Sequence, residues 1–206
     1  MIGIFGFFLY KIIKYPQSSF WVLAGSAYIT GAEIFLRMTK GMVFYETGKY
    51  MVIVFMLIGM YQKGFKLKAW PYLLYIGLLL PAVYMTYLSM DFTDVSFRKT
   101  ILFNMSGPLS LAFSALYCFQ LQVKLKDVLK VLDYLIYPLI AMTIYVVVYT
   151  PESQNLFAYA ESNAAASGGW SGNQVSTILG LGIFALFARF CHYLSLLCHY
   201  LINFYV

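Results

Sequence analysis

Charge is scarce in this chain. Its 206 residues include 14 Lys and Arg and 8 Asp and Glu, so 11% are charged while 62% are hydrophobic. The mean hydropathy is +0.75. A soluble domain is about a quarter charged, so the scarcity excludes an ordinary water-soluble fold and points to an integral membrane protein. The formal charge of +6 does not bring nucleic acid back as a partner. The cations are scattered between apolar runs, as topology determinants are, and form no groove-lining patch. Cysteine is also rare. Cys118 lies inside an apolar run, and Cys191 and Cys198 stand seven apart on a predicted helix, about 10 Å of rise and too far to bridge. The only histidines, His192 and His199, share that spacing, so the pair cannot hold one metal ion between them, and no metal or cofactor is expected. No P-loop is present, because Gly168, Gly169, Gly172, Gly180 and Gly182 are not followed by Gly-Lys-Ser/Thr. A cleavable signal peptide is missing too: Lys11 and Lys14 follow the apolar Ile2–Leu9 stretch instead of preceding it.

What the chain has in abundance is apolar length. The expected fold is all-α, a polytopic transmembrane helix bundle of about six spans plus a short N-terminal interfacial helix, forming a single transmembrane domain. The spans read as Ser19–Leu36, Tyr50–Tyr61, Trp70–Met90, Thr100–Leu121, Val131–Tyr149 and a sixth from about Val175. Pro81 is expected to kink its helix, Pro138 lies inside the fifth span, and Asn104, Ser106, Gly107 and Pro108 are expected to break or bend the fourth. The alternative for that cluster is the wall of a polar cavity. Compact basic loops lie at 62–69, with Lys63, Lys66 and Lys68, and at 122–130, with Lys124, Lys126 and Lys130. A long loop at 150–174 holds Glu152 and Glu161 but no Lys or Arg.

The positive-inside rule sets an orientation. With the two basic loops in the cytoplasm, Lys11 and Lys14 also fall inside, and both termini are cytoplasmic. Arg37, Lys40, Lys49, Arg98 and Lys99 are then outside, as is the 150–174 loop.

The candidate binding residues gather on that outer side. Glu33 and Arg37 share a helical face at i, i+4, and Glu46 and Lys49 follow at i, i+3. They read either as interfacial anchors or as inward-facing groups that hold an anionic substrate. A diphosphate-linked sugar needs such cations, since charge-assisted pairs recognise phosphate best. Asn173 and Gln174 could add amide hydrogen bonds to hydroxyls. The substrate-binding set is therefore Glu33, Arg37, Glu46, Lys49, Asn173 and Gln174, and no catalytic residue is assigned.

Two stretches carry a resemblance: AYITGAEIFLRM with FYETGKY at 27–50, and GGWSGNQVSTILGLG at 168–182. Together they resemble the O-antigen ligase/polymerase family of bacterial envelope proteins. The matching positions are Glu33, Arg37, Met38, Glu46, Gly48, Lys49 and Tyr50, then Gly169, Gly172, Asn173, Gln174, Val175 and Ser176. Trp170 and Ser171 depart from that pattern, where Phe and Gly are usual. The resemblance implies a polytopic enzyme of the bacterial inner membrane. Such an enzyme ligates or polymerises glycan from an undecaprenyl-diphosphate carrier at the outer face, without a metal. Its partners would be a lipid-linked oligosaccharide and membrane lipids. It also implies ten or more spans and a later His-bearing loop, so the chain reads as an N-terminal fragment, inactive alone. A secondary transporter and a non-catalytic membrane subunit are the alternatives. The transporter lacks support from an inverted repeat between residues 1–100 and 101–206. Ser162–Phe187 has no cation of its own and is expected to wall the site, with the charges coming from 33–49.

Overall fold

A computed structural model describes residues 1–64, 67–89, 97–149, 167 and 170–205. Among them there are seven α-helices and no strand. They are α1 (Ile2–Lys14), α2 (Ser19–Met38), α3 (Thr47–Lys63), α4 (Trp70–Ser89), α5 (Phe97–Cys118), α6 (Leu125–Tyr149) and α7 (Gly172–Tyr205), with a 3-10 turn at Leu67–Ala69. The all-helical expectation holds.

Among the described residues three helices, fewer than the six expected, are long and apolar enough to cross a membrane: α2, α6 and α7 over Gly172–Leu197. For α3 the cause is length. At 17 residues, α3 rises about 25 Å, less than the hydrocarbon thickness of about 30 Å.

Helix boundaries correct several other expectations. The Asn104–Pro108 cluster does not break its helix, since α5 runs unbroken through Pro108. A proline removes one backbone donor and crowds one carbonyl, which a long helix can absorb when its other bonds persist. The basic stretch at 122–130 is mainly the first turns of α6, which starts at Leu125 and so places Lys126 and Lys130 on a helix. Asn173 and Gln174 are not loop residues but lie in the first turn of α7. Most of the expected outward loop at 150–174, with Glu152 and Glu161, lies outside the described residues, as do Lys66, Asp91 and Asp94 and the side chains of Arg98 and Lys99.

The chain divides into two compact units, one formed by 1–26 and 42–123 and the other by 27–41 and 124–206. In unit 1, α3 packs on α1 and α5, and α5 on α4. Phe55 is fully buried at its centre. The Phe5 ring stacks on it at a centroid distance of 5.3 Å, and Phe8 tilts against it at 6.3 Å. The N-terminal helix therefore is not merely interfacial, because Phe8 and Ile12 are both buried in this core. Gly59 permits the contact between α3 and α5: a β-carbon there would lie 2.6 Å from the Tyr117 ring.

In unit 2, α6 and α7 run antiparallel, and the second half of α2 lies against them. Its core is Ile34, Leu135, Ile136, Leu139, Met142, Val175, Ile178 and Ala185. Close approach comes from small residues, as in membrane packing generally. A β-carbon on Gly31 would stand 2.5 Å from the Leu135 carbonyl oxygen, and one on Gly182 would stand 2.8 Å from Leu139 Cδ1. Outside this seam the long helices are greasy: Ile140, Ile144, Val147, Val148, Ile183, Phe184, Phe187 and Phe190 are all exposed. Water would penalise such a surface, and acyl chains would not.

Candidate functional site

In unit 2 the arginine of α2 is the focus. Arg37 is 8% exposed overall, with the guanidinium at the C-terminal end of a candidate membrane span. A helical pitch of 3.6 residues puts Glu33 one turn behind it, and the carboxylate pairs with Arg37 Nη2. Arg37 Nη1 donates to Gln174 Oε1 at 3.3 Å. The same oxygen accepts from the Trp170 indole N–H at 3.2 Å. Trp170 is itself half-buried against the hydrophobic core of the unit. The result is a continuous polar chain, Glu33–Arg37–Gln174–Trp170, that fastens the start of α7 to the end of α2.

Chemically, this cluster can hold an anion only by sharing. A guanidinium presents five donors in a planar fork, and its carboxylate and amide partners hold that fork in a fixed direction. Orientation of this sort is what recognition of a diphosphate oxygen requires.

Not every expected residue joins in. The side chain of Asn173 is exposed, and what the residue contributes locally is its carbonyl, which accepts from Ser176 at 3.1 Å and Thr177 at 2.7 Å. Such backbone-directed hydroxyls are ordinary first-turn chemistry.

Glu46 and Lys49 belong to unit 1 and form a separate cluster. Glu46 precedes α3 and is 6% exposed. Lys49 Nζ lies 2.5 Å from Glu46 Oε2. Ser106 of α5, with no solvent exposure, donates to the same carboxylate oxygen at 2.6 Å and accepts from Lys49 at 3.2 Å. The turn that delivers Glu46 is fixed by Thr47, whose hydroxyl donates to the Phe44 carbonyl at 2.5 Å and accepts from the Phe44 N–H at 3.0 Å. Both functions of the Ser106 hydroxyl, donor and acceptor, are thus taken up by the ion pair. The triad is a neutralised ion pair built around a hydroxyl.

Three participants escape a reading of sequence alone. Ser106 is visible there only as part of a helix-bending cluster. Trp170 shows only as a departure from the family pattern, although it anchors Gln174. The third is an ion pair between Asp133 of α6 and Arg189 of α7. Its signal is available in the sequence, since two opposite charges interrupt two otherwise apolar spans. Among the described residues, no group of three or more His, Cys, Asp or Glu is placed to hold a metal ion.

Comparison with family models, with curated proteins and with solved structures returns no match.

Proposed function

We propose that this chain is part of a membrane glycosyltransferase-like protein that ligates or polymerises undecaprenyl-diphosphate-linked glycan at the outer face of a bacterial inner membrane. One observation carries the reading. The two separated stretches that resemble the O-antigen ligase/polymerase family meet at Arg37 and Gln174, 137 residues apart in sequence. In this reading Arg37 pairs with a diphosphate oxygen of the carrier, and Glu33 holds the guanidinium plane toward it. Gln174, oriented by Trp170, offers its amide to a sugar hydroxyl. The roles are binding and positioning, and the six-span topology with cytoplasmic termini belongs to the same proposal.

The test is transfer of a labelled lipid-linked oligosaccharide by the full-length gene product in proteoliposomes. Arg37→Lys keeps the charge but loses the planar fork, and it should cut transfer by about tenfold or more at unchanged protein level, the size of one charge-assisted hydrogen bond. Unchanged transfer in Arg37→Lys and Arg37→Ala would remove Arg37 from the site.

A secondary transporter is the second reading, favoured by the buried Glu46–Lys49–Ser106 cluster in unit 1, because ionisable groups within membrane proteins commonly mark ion or substrate paths. It expects uptake of a labelled solute that Glu46→Gln abolishes, and no glycan transfer.

A further inference from the structure

We propose that unit 1 carries a binding site for the headgroup of an anionic phospholipid, in the cavity where α3 and α5 both end. The cavity has a volume of about 290 Å³ and is lined by Met60, Lys63, Leu116, Tyr117, Gln120 and Gln122, among others. The lining thus combines apolar side chains, which suit the top of an acyl chain, with one cation and two amides.

Charge supports an anion there. Lys63 closes α3, and its ammonium donates to the Ser19 hydroxyl at the start of α2. An ammonium has three donors, so one hydroxyl does not exhaust it. Gln62, beside it, donates to the Ile12 carbonyl at 3.1 Å, which brings the C-terminal end of α1 to the same end of the unit. With that end come Lys11 and Lys14. Among the described residues of unit 1 the only carboxylate is Glu46, at the opposite end of α3 and about 25 Å away by helical rise. Among the described residues of unit 1, the end that holds the cavity is therefore cationic and carries no carboxylate.

Aromatic residues mark this end as a membrane interface. Lys11 Nζ lies 5.0 Å from the Trp21 ring centroid and 5.7 Å from that of Tyr15. Lys14 Nζ lies 5.4 Å from the Tyr10 ring and donates to its hydroxyl at 3.1 Å. Tyr61 and Trp70 are exposed close by in sequence, at the end of α3 and the start of α4. Interleaved Lys, Tyr and Trp are the usual furniture of the headgroup layer, where basic pockets between helices take up phosphate.

The experiment is native mass spectrometry of the purified chain in detergent, titrated with short-chain phosphatidylglycerol or phosphatidylcholine. Wild type should bind phosphatidylglycerol about fivefold more tightly, the size expected for one interfacial cation. Lys63→Gln should erase the preference, and Lys63→Arg should retain it. Gln122→Glu, an exposed change that leaves Lys63 in place, should also erase it by putting a negative charge on the rim. Lys14→Gln, which does not line the cavity, should leave it intact. The proposal is overturned if wild type shows no preference, or if both Lys63→Gln and Gln122→Glu keep it. Displacement of phosphatidylglycerol by millimolar inorganic phosphate would assign the cavity to a soluble phosphate and overturn the lipid assignment.

Discussion

Gln174 and Asn173 are adjacent amides in the first turn of α7, and the fold treats them in opposite ways. Gln174 Oε1 receives both the Arg37 guanidinium and the Trp170 indole, whereas the Asn173 side chain is exposed. Gln174→Ala should therefore destabilise unit 2 by about 1–3 kcal/mol, because two half-buried donors lose their acceptor. Asn173→Ala should stay within about 0.5 kcal/mol of wild type, as exposed substitutions usually do. Thermal unfolding in one detergent, followed by circular dichroism, would rank the two, and equal losses would contradict the polar chain described above. The sequence groups both amides with Arg37 through the expected topology and the resemblance, and it cannot choose between them. The choice depends on helical phase: position 174 faces α2 and position 173 does not, and that phase is set by where α7 begins.

The hairpin of α6 and α7 is the element most fully specified by pattern. Its register follows from contacts spread along its length, with Asp133 paired to Arg189 and Leu139 seated on Gly182. Both partners of the ion pair sit within candidate membrane spans, where an unpaired charge is costly. Asp133→Asn should destabilise the hairpin by about 1.5–3 kcal/mol, the range for hydrogen bonds to charged groups. The exchanged pair, Asp133→Arg with Arg189→Asp, should recover most of that loss in the same unfolding measurement. Failure of the exchange would mean that each charge is held by something other than its partner. Helix α3 is the converse case. Its sequence is apolar enough to read as a span, yet at 17 residues it is too short for one. Ser106 of α5 is legible only in part, since a serine beside Gly107 and Pro108 reads as a bend or a polar wall, while its burial depends on a glutamate 60 residues earlier.

At the scale of the whole molecule, surface greasiness decides the environment. The candidate spans α6 and α7 bury only 28% and 22% of their apolar windows against the rest of the protein, so most of their side chains need another apolar medium. Cys191 tests this directly, because it is exposed on α7, inside the candidate span. It should resist a membrane-impermeant maleimide in intact vesicles and react after the membrane is dissolved in denaturing detergent, read by gel shift. Rapid labelling from either aqueous side would place that part of α7 in water. All-helical architecture and membrane class were legible from composition and period alone, because both are properties summed over many residues. Division into two compact units was not, since it depends on which helices pack together across long stretches of sequence.

The Glu33–Arg37 pair has a consequence for biosynthesis. A guanidinium in a membrane helix is costly to insert, by about 2.5–3.5 kcal/mol at a helix centre and less near an end. Gln174 is made 137 residues later, so it cannot help while α2 is leaving the ribosome and entering the bilayer. The glutamate one turn away is already there. By pairing within its own helix, Arg37 enters the membrane as half of a neutral unit, and the long-range bond is added only once α7 arrives. Order of synthesis is thus written into the site: the local partner is present as soon as α2 is made, and the distant one joins only when α7 has packed against it.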